Sequence, residues 1–203
     1  MKIVVLADSH TRGPSRPLPQ SAWPYVETAD HILHAGDVCD PALLDELKSF
    51  APLTVVIGNS DGHEVRAWGA TDEAHVELGG VTIAMVHDSG PKHGRWERMR
   101  ARFLDARVVV FGHSHMPLLE DRDGLMLLNP GSPTWKRRAP FTSMGILWIE
   151  DGEVEEYDDV TELIEQLEDF DSDIDTACDA RDARGRPVRL KLKLLDLKEL
   201  SLA

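Results

Sequence analysis

This chain of 203 residues is poor in cysteine and contains no long hydrophobic run. Its two cysteines, Cys39 and Cys178, lie far apart in the sequence. This excludes a disulfide-stapled secreted fold, and we expect two free thiols in a reducing compartment. The longest apolar runs, such as residues 3–7 and 108–111, are too short to span a bilayer. A strand-like run follows the first residue directly and leaves no room for a signal peptide. We therefore expect a cytoplasmic protein that makes no contact with a membrane.

Basic residues are also few, since 22 Lys and Arg oppose 36 Asp and Glu and give a formal net charge of −14. The densest basic segment is residues 136–138, and no basic stripe accompanies the tryptophans. This balance excludes a protein that coats nucleic acid through a basic surface. A small phosphate-bearing substrate remains possible if bound cations supply local positive charge. The content of 42% hydrophobic and 29% charged residues is typical of a globular protein.

Short apolar runs alternate with helix-like stretches in the first half of the chain. The predicted buried strands are residues 2–7, 31–35, 53–57, 81–86 and 107–111. The predicted helices are residues 41–50 and 96–104. This alternation predicts an α/β fold.

From residue 125 the pattern changes to successive strands, predicted at 125–128, 143–149 and 153–157, with a hairpin turn at 151–152. We expect this second half to form its own sheet, packed on the first. In the tail, the pattern predicts an amphipathic helix at 161–170, an acidic mobile linker at 169–184 and a half-buried strand at 188–194. The predicted division is a main domain of residues 1–160 and a C-terminal part of residues 161–203. The final strand either packs on the same chain or bridges to a second copy, which would give a homo-oligomer.

Acid, amide and imidazole side chains follow five of these strands in order. The seven candidate metal ligands are Asp8, His10, Asp37, Asn59, His87, His113 and His115. Each motif alone is more often a turn or a structural histidine, so the prediction depends on the ordered set. The carboxyl ends of parallel strands meet at the edge where open α/β sheets bind ligands. Seven nitrogen and oxygen donors are enough for two divalent cations, for which we expect Mn, with Ni, Zn, Fe or Co as alternatives.

Together with the run from Asn129 to Ser132, this set resembles the calcineurin-like metallophosphoesterases, in particular their compact phosphodiesterase branch. The similarity covers residues 1–157. It implies a four-layer α-β-β-α sandwich of two mixed sheets, and a small phosphoester substrate attacked in line by a hydroxide held between two metals. By this resemblance, one metal would be held by Asp8, His10 and His115, and the other by Asn59, His87 and His113. Asp37 would bridge them, and the catalytic residues would be Asp37, Asn59 and His113.

Two positions depart from the family pattern. Many larger members have a histidine after Gly-Asn that protonates the leaving oxygen, and here that residue is Ser60. Loss of a general acid typically costs about 10²- to 10⁴-fold, so we expect phosphodiesters with good leaving groups to be preferred. His87 is followed by Asp88 instead of Gly-His, which leaves His93 as the fallback ligand. The alternative function is a non-catalytic scaffold or protein-binding module that retains the fold.

Overall fold

A computed structural model of the chain describes residues 1–13, 15–151, 174–181 and 185–197. The described strands are β1 (Lys2–Leu6), β2 (His31–His34), β3 (Leu53–Val55), β4 (Glu73–Leu78), β5 (Val81–Val86), β6 (Val108–Val110), β7 (Leu118–Arg122), β8 (Leu125–Asn129), β9 (Ser143–Asp151), β10 (Ile174–Arg181) and β11 (Pro187–Asp196). The described helices are α1 (Trp23–Val26), α2 (Pro41–Phe50), α3 (His63–Trp68) and α4 (Arg95–Arg102), with a short 3₁₀ turn at Gln20–Ala22. None of these helices is long and apolar enough to cross a membrane.

The strands form two mixed sheets that pack face to face. The first sheet has the order β10-β11-β9-β1-β2-β3, and the second has the order β4-β5-β6-β8-β7. Ile3, Val5 and Leu33 of the first sheet share one buried cluster with Ile83 and Val110 of the second. The main core therefore lies between the sheets, as the apolar composition of these strands requires.

Helices cover the outer face of each sheet. Helix α2 is capped by the Asp40 side chain and packs Leu44 against Val4 of the first sheet. Helix α4 packs Met99 against Val109 of the second sheet. The layers thus follow the order α-β-β-α, which confirms the predicted fold class.

The prediction that the second half forms its own sheet is wrong. Strand β8 pairs in parallel with β6, and β9 pairs antiparallel with β1, so each sheet combines both halves of the chain. Strand pairing is decided by contacts between distant residues, which local patterns do not report.

The C-terminal strand is confirmed and is longer than predicted. It lies between β9 and β10 in the first sheet of its own chain, so an oligomer through β11 would have to displace one of these neighbours. The predicted linker at 169–184 is wrong for residues 174–181, because β10 pairs with β11 along its whole length. The strand predicted at 153–157, with the turn that leads into it, and the helix predicted at 161–170 lie outside the described residues. The division into residues 1–160 and 161–203 stays a prediction.

The loops after the parallel strands meet at one edge of the sandwich. The backbone N–H of Asp8, after β1, donates to the carbonyl of Gly36, after β2, at 2.9 Å. In the second sheet, the N–H of Gly112 donates to the carbonyl of His87 at 2.9 Å. The His87 ring also joins the two sheets, since its Nδ1 donates to the Ala35 carbonyl at 2.7 Å. This edge therefore collects the polar residues that end each strand.

Candidate metal centre

The structure brings all seven predicted ligand residues together at this edge. In the first group, His10 Nε2 lies 3.1 Å from His115 Nε2. His115 Nε2 lies 3.5 Å from Asp8 Oδ1, and all three side chains are buried. The ligand atoms of this trio lie within 4.8 Å of one another.

The second group opens toward solvent. Asn59 Oδ1 lies 3.1 Å from His87 Nε2 and 2.7 Å from His113 Nδ1. His87 is buried, whereas Asn59 and His113 are exposed. Asp37 lies between the groups, with Oδ2 3.4 Å from His10 Nε2 and Oδ1 3.5 Å from His87 Nε2. Its two oxygens therefore face different groups, which is the arrangement that a bridging carboxylate needs.

These spacings fit shared cations. Two donor atoms that bind one ion at roughly 2.0–2.2 Å lie roughly 2.8–3.6 Å apart at tetrahedral or octahedral angles. Asp8 supplies an independent observation, because both of its carboxylate oxygens are buried without a hydrogen-bond partner in the part of the chain that the structure describes. A buried carboxylate without partners is costly unless a cation lies beside it. The donor set thus fits divalent metal ions, although the assignment of individual ligands stays a prediction.

The pKa values of the candidate ligands also indicate that a cation would stabilise this cluster. Burial, followed by the negative charge of Asp37, raises the pKa of Asp8 to about 8. Burial lowers the pKa of His115 to about 4 and also lowers the pKa of His10. At neutral pH both imidazoles therefore offer lone pairs, and a cation would favour the ionised form of Asp8.

Two histidines are oriented by backbone carbonyls. The Nδ1 atom of His87 donates to Ala35, and the Nδ1 atom of His115 donates to Trp135. Each of these bonds fixes the tautomer and leaves Nε2 free as an acceptor aimed at the cluster. Metal-binding histidines commonly donate their other ring N–H in this way.

The backbone of the cluster is strained. Five predicted ligands have positive φ values, namely Asp8 (53°), His10 (42°), Asp37 (56°), His113 (67°) and His115 (58°). A left-handed conformation costs a residue with a Cβ atom about 1–2 kcal/mol. Backbone strain of this kind is found mainly at functional sites, where a particular side chain has to point in a particular direction.

The sequence prediction missed Asp61, which holds two of the loops together. Its Oδ2 accepts hydrogen bonds from the N–H groups of Asp37 at 2.9 Å and Gly58 at 2.7 Å. Its Oδ1 accepts one from the N–H of Cys39 at 2.7 Å. The available signal was an acid two residues after Asn59, but two of its three partners, Asp37 and Cys39, lie on a distant loop.

Neighbouring side chains hold the backbone of the cluster through hydrogen bonds. Ser132 Oγ donates to the Asp8 carbonyl at 2.7 Å, and Asn129 Nδ2 donates to the Gly112 carbonyl at 2.8 Å. The turn from Asn129 to Ser132 thus lies against the cluster. Burial, followed by the charge of Asp61, raises the pKa of the Cys39 thiol to about 11, so the thiol stays protonated near neutral pH. The fallback ligand, His93, is exposed and, among the described residues, lies in no group of acidic, histidine and cysteine side chains close enough to share a metal ion.

His34 lies fully buried beneath the cluster, with Nε2 3.0 Å from Ser9 Oγ. Burial, followed by repulsion from His87, lowers the pKa of His34 to about 3. Below about pH 6.5 the His34 imidazole therefore binds a proton in the unfolded chain but stays neutral in the folded protein. His34 therefore does not lower the free energy of unfolding above about pH 6.5. As the pH drops from there toward 3, this free energy falls by about 1.4 kcal/mol per pH unit.

We expect His34→Gln to remove this dependence, because a glutamine amide does not titrate. Between pH 7 and pH 5, the unfolding free energy of the metal-free variant should fall by about 2 kcal/mol less than that of the metal-free parent. Urea unfolding at both pH values measures this difference. The exposed His93→Gln variant is the control and should follow the parent. Parallel curves for the parent and His34→Gln would contradict the assignment.

Comparison with known proteins gives the family. Residues 1–152 match the calcineurin-like phosphoesterase superfamily domain, and the chain belongs to this superfamily. The probable metallophosphoesterase MJ0623 of Methanocaldococcus jannaschii is 32% identical over 155 residues, which cover 74% of this chain and 77% of that protein. The probable metallophosphoesterase YsnB of Bacillus subtilis is 31% identical over 175 residues, which cover 83% and 97%. The resemblance and the phosphoesterase class predicted from the sequence are confirmed.

Solved structures agree on the fold. A Vps29 from Entamoeba histolytica superposes with a TM-score of 0.64 at 21% identity and covers 97% of this chain and 99% of that chain. A novel archaeal phosphodiesterase gives a TM-score of 0.57 at 22% identity and covers 73% and 93%. At these identities the likeness shows the shared fold alone.

Proposed function

We propose that this chain is a two-metal phosphodiesterase that hydrolyses esters with good leaving groups. The observation that carries this proposal is the seven-residue cluster, in which the Asp8 carboxylate has no hydrogen-bond partner among the described residues and Asp37 faces two groups of donors. Among the relatives, the phosphodiesterase MJ0936 of Methanocaldococcus jannaschii is 23% identical over 142 residues and supports this reaction class. We expect Mn as the most effective metal, with Ni, Zn, Fe or Co as alternatives. We also infer a cytoplasmic location.

The roles of the ligands follow their positions in the two groups. Asp8, His10 and His115 would hold one cation, Asn59, His87 and His113 would hold the other, and Asp37 would contribute one oxygen to each. Two bound cations would lower the pKa of a water and place positive charge at the phosphoryl oxygens. Only Asp8 and Asp37 are anionic in this set, so positive charge remains to attract a phosphate in a chain of net charge −14.

The substrate would enter on the open side of the cluster. A cavity of about 340 Å³ there is lined by Asn59, His87 and His113 among other residues. The Asn59 and His113 side chains are exposed and so can touch a phosphate, whereas the other five candidate ligands are buried. We therefore infer that Asn59 and His113 orient the phosphate as well as hold metal.

Ser60 explains why good leaving groups should be preferred. Its N–H and its hydroxyl donate to the two oxygens of Asp37, at 2.7 Å and 2.9 Å. The hydroxyl is therefore engaged with the carboxylate, and a serine is a far weaker acid than a histidine. With no efficient general acid at this place, an alkoxide would leave slowly, whereas an aryl oxide needs little protonation.

The proposal is tested with protein stripped of metal by a chelator and reloaded with each candidate metal. We expect hydrolysis of bis-p-nitrophenyl phosphate only when metal analysis finds two ions per chain. With p-nitrophenyl and alkyl diesters compared on the same preparation, the aryl ester should turn over about 10²-fold faster or more. Equal rates would contradict the role given to Ser60, and inactive protein with two metals bound would overturn the enzymatic function.

The alternative is a non-catalytic scaffold or protein-binding module with the same fold. The observation in its favour is the likeness to Vps29 over 97% of the chain. One such Vps29 from Entamoeba histolytica was solved in complex with zinc, so bound metal alone would not separate the two functions. Hydrolysis is therefore the deciding measurement.

A further inference from the structure

Two arginine side chains pack against an exposed tryptophan beside the cluster. Trp135 is 46% exposed, yet its ring packs against His10 and His115, with centroid separations of 5.6 Å and 5.5 Å. The guanidinium carbon of Arg16 lies 5.4 Å from the centroid of the Trp135 ring, and that of Arg137 lies 4.9 Å from it. We call Arg16, Trp135 and Arg137 the arginine–tryptophan rim.

The two guanidinium groups of the rim lack acidic partners. Within the described residues, neither Arg16 nor Arg137 forms an ion pair with a carboxylate, although acids outnumber bases by 36 to 22 in this chain. By contrast, Arg66, Arg102 and Arg107 pair with acidic side chains. Two arginines next to the cluster that have no carboxylate partner among the described residues are therefore available to an external anion.

Arg137 is also held in a defined position. Its backbone has a positive φ of 48°, and its Nη1 donates to the His113 carbonyl at 3.2 Å. This contact with the backbone of a predicted ligand places the positive charge of Arg137 beside the cluster. The cation–π contact with Trp135 limits the motion of the side chain and leaves guanidinium N–H groups free for hydrogen bonds.

We propose that the arginine–tryptophan rim binds a second phosphate group of the substrate, so that the natural substrate is a phosphoester that carries a further phosphate. This rests on the proposed function, because it places the scissile phosphate at the cluster. Arginine binds phosphate through two parallel hydrogen bonds, which suits a fixed anion site.

The opposite side of the cluster is less suited to an additional anion. The cavity there is lined by Asp88 and by Asp72, which is paired with Arg66, and its Arg102 is already paired with Glu73. An extra negative charge would meet the carboxylate of Asp88 on that side, and on the rim side two guanidinium groups that have no carboxylate partner among the described residues. The charge distribution thus assigns the second phosphate to the rim.

The test measures binding of adenosine 3′,5′-bisphosphate and adenosine 5′-monophosphate to the metal-loaded protein by calorimetry. We expect the parent to bind the bisphosphate about 10-fold more tightly or better, since hydrogen bonds between charged groups are the strong ones. Arg16→Gln and Arg137→Gln should each remove most of this preference. Arg138→Gln is the matched control, because Arg138 is exposed and makes no contact with the Trp135 ring, and it should retain the preference.

Equal affinity for both nucleotides in the parent would overturn the proposal, and so would a preference that survives in both rim variants. Arginine-dependent binding of a glutamate-rich peptide without a preference for the bisphosphate would also overturn it, in favour of an acidic protein partner. The result is separable from the proposed function, because binding is measured without turnover. If the rim prefers the bisphosphate but the protein does not hydrolyse bis-p-nitrophenyl phosphate, the proposed reaction is refuted and the proposed anion site is supported.

Discussion

Replacement of Asp37 by asparagine should lower the turnover of bis-p-nitrophenyl phosphate about 10³-fold or more. The side chain is 1% exposed, and its two oxygens face His10 and His87 on opposite sides. An asparagine offers one oxygen and no charge, so it cannot serve both groups. Charge stabilisation by paired metals is worth several kcal/mol in the transition state, and each 1.36 kcal/mol changes the rate about tenfold.

The measurement is kcat together with the metal content of the purified variant. We expect the Asp37→Asn protein to hold fewer than two ions per chain after dialysis. Asp105→Asn makes the same change in charge at an exposed position away from the cluster and should behave like the parent. An Asp37→Asn enzyme with two ions and substantial activity would refute the bridging role.

The second large effect is expected from Gly58→Ala, because the backbone of this residue lies against Asp37. A Cβ atom at Gly58 would lie 2.1 Å from Asp37 Oδ1 and 2.2 Å from the Asp37 backbone nitrogen. The nitrogen is part of the main chain, and the Ser60 N–H holds Oδ1 in place, so the loop that carries Asp37 would have to move. A displacement of about 1 Å near the reacting atoms can cost roughly 10²-fold in rate. We therefore expect a loss of at least that size, with weaker retention of metal.

Gly62→Ala is the matched control in the same loop. The Cβ atom of that variant would meet only the end of the exposed Glu64 side chain, which can swing away. Comparison of kcat, metal content and melting temperature separates damage at the site from general destabilisation. A Gly58→Ala enzyme with the rate and metal content of the parent would contradict the close approach.

The parts of the fold that the sequence predicted well are those in which a strand is buried on both faces. Strand β5 matches its predicted bounds of 81–86 because five of its six residues are buried and apolar. The convergence of the seven candidate ligands followed from a single physical rule, since each lies just beyond a strand that runs toward the same edge. Short polar motifs on five loops could therefore be brought together without knowledge of the side-chain geometry.

The features that the prediction missed depend on partners far away in the sequence. Strand β4 alternates exposed charged residues with half-buried ones, and it lies at the edge of its sheet, so its composition resembles a loop. Strand β10 was taken for a linker because its signal is its pairing with β11 and not its hydrophobicity. The contacts of Asp61 and of the Trp135 ring likewise join loops from different parts of the chain.

The pairing of β1 with β9 bears on how the protein is made. As the nascent chain leaves the ribosome, Asp8 emerges early, yet the Ser132 hydroxyl that holds its carbonyl follows 124 positions later. Lys2 must likewise wait for Trp148 before the first strand has its antiparallel neighbour. Such distant contacts slow folding, because a long loop must close before they form. We therefore expect metal to bind only after the first 150 or so residues have been translated, when most of the two sheets has already formed.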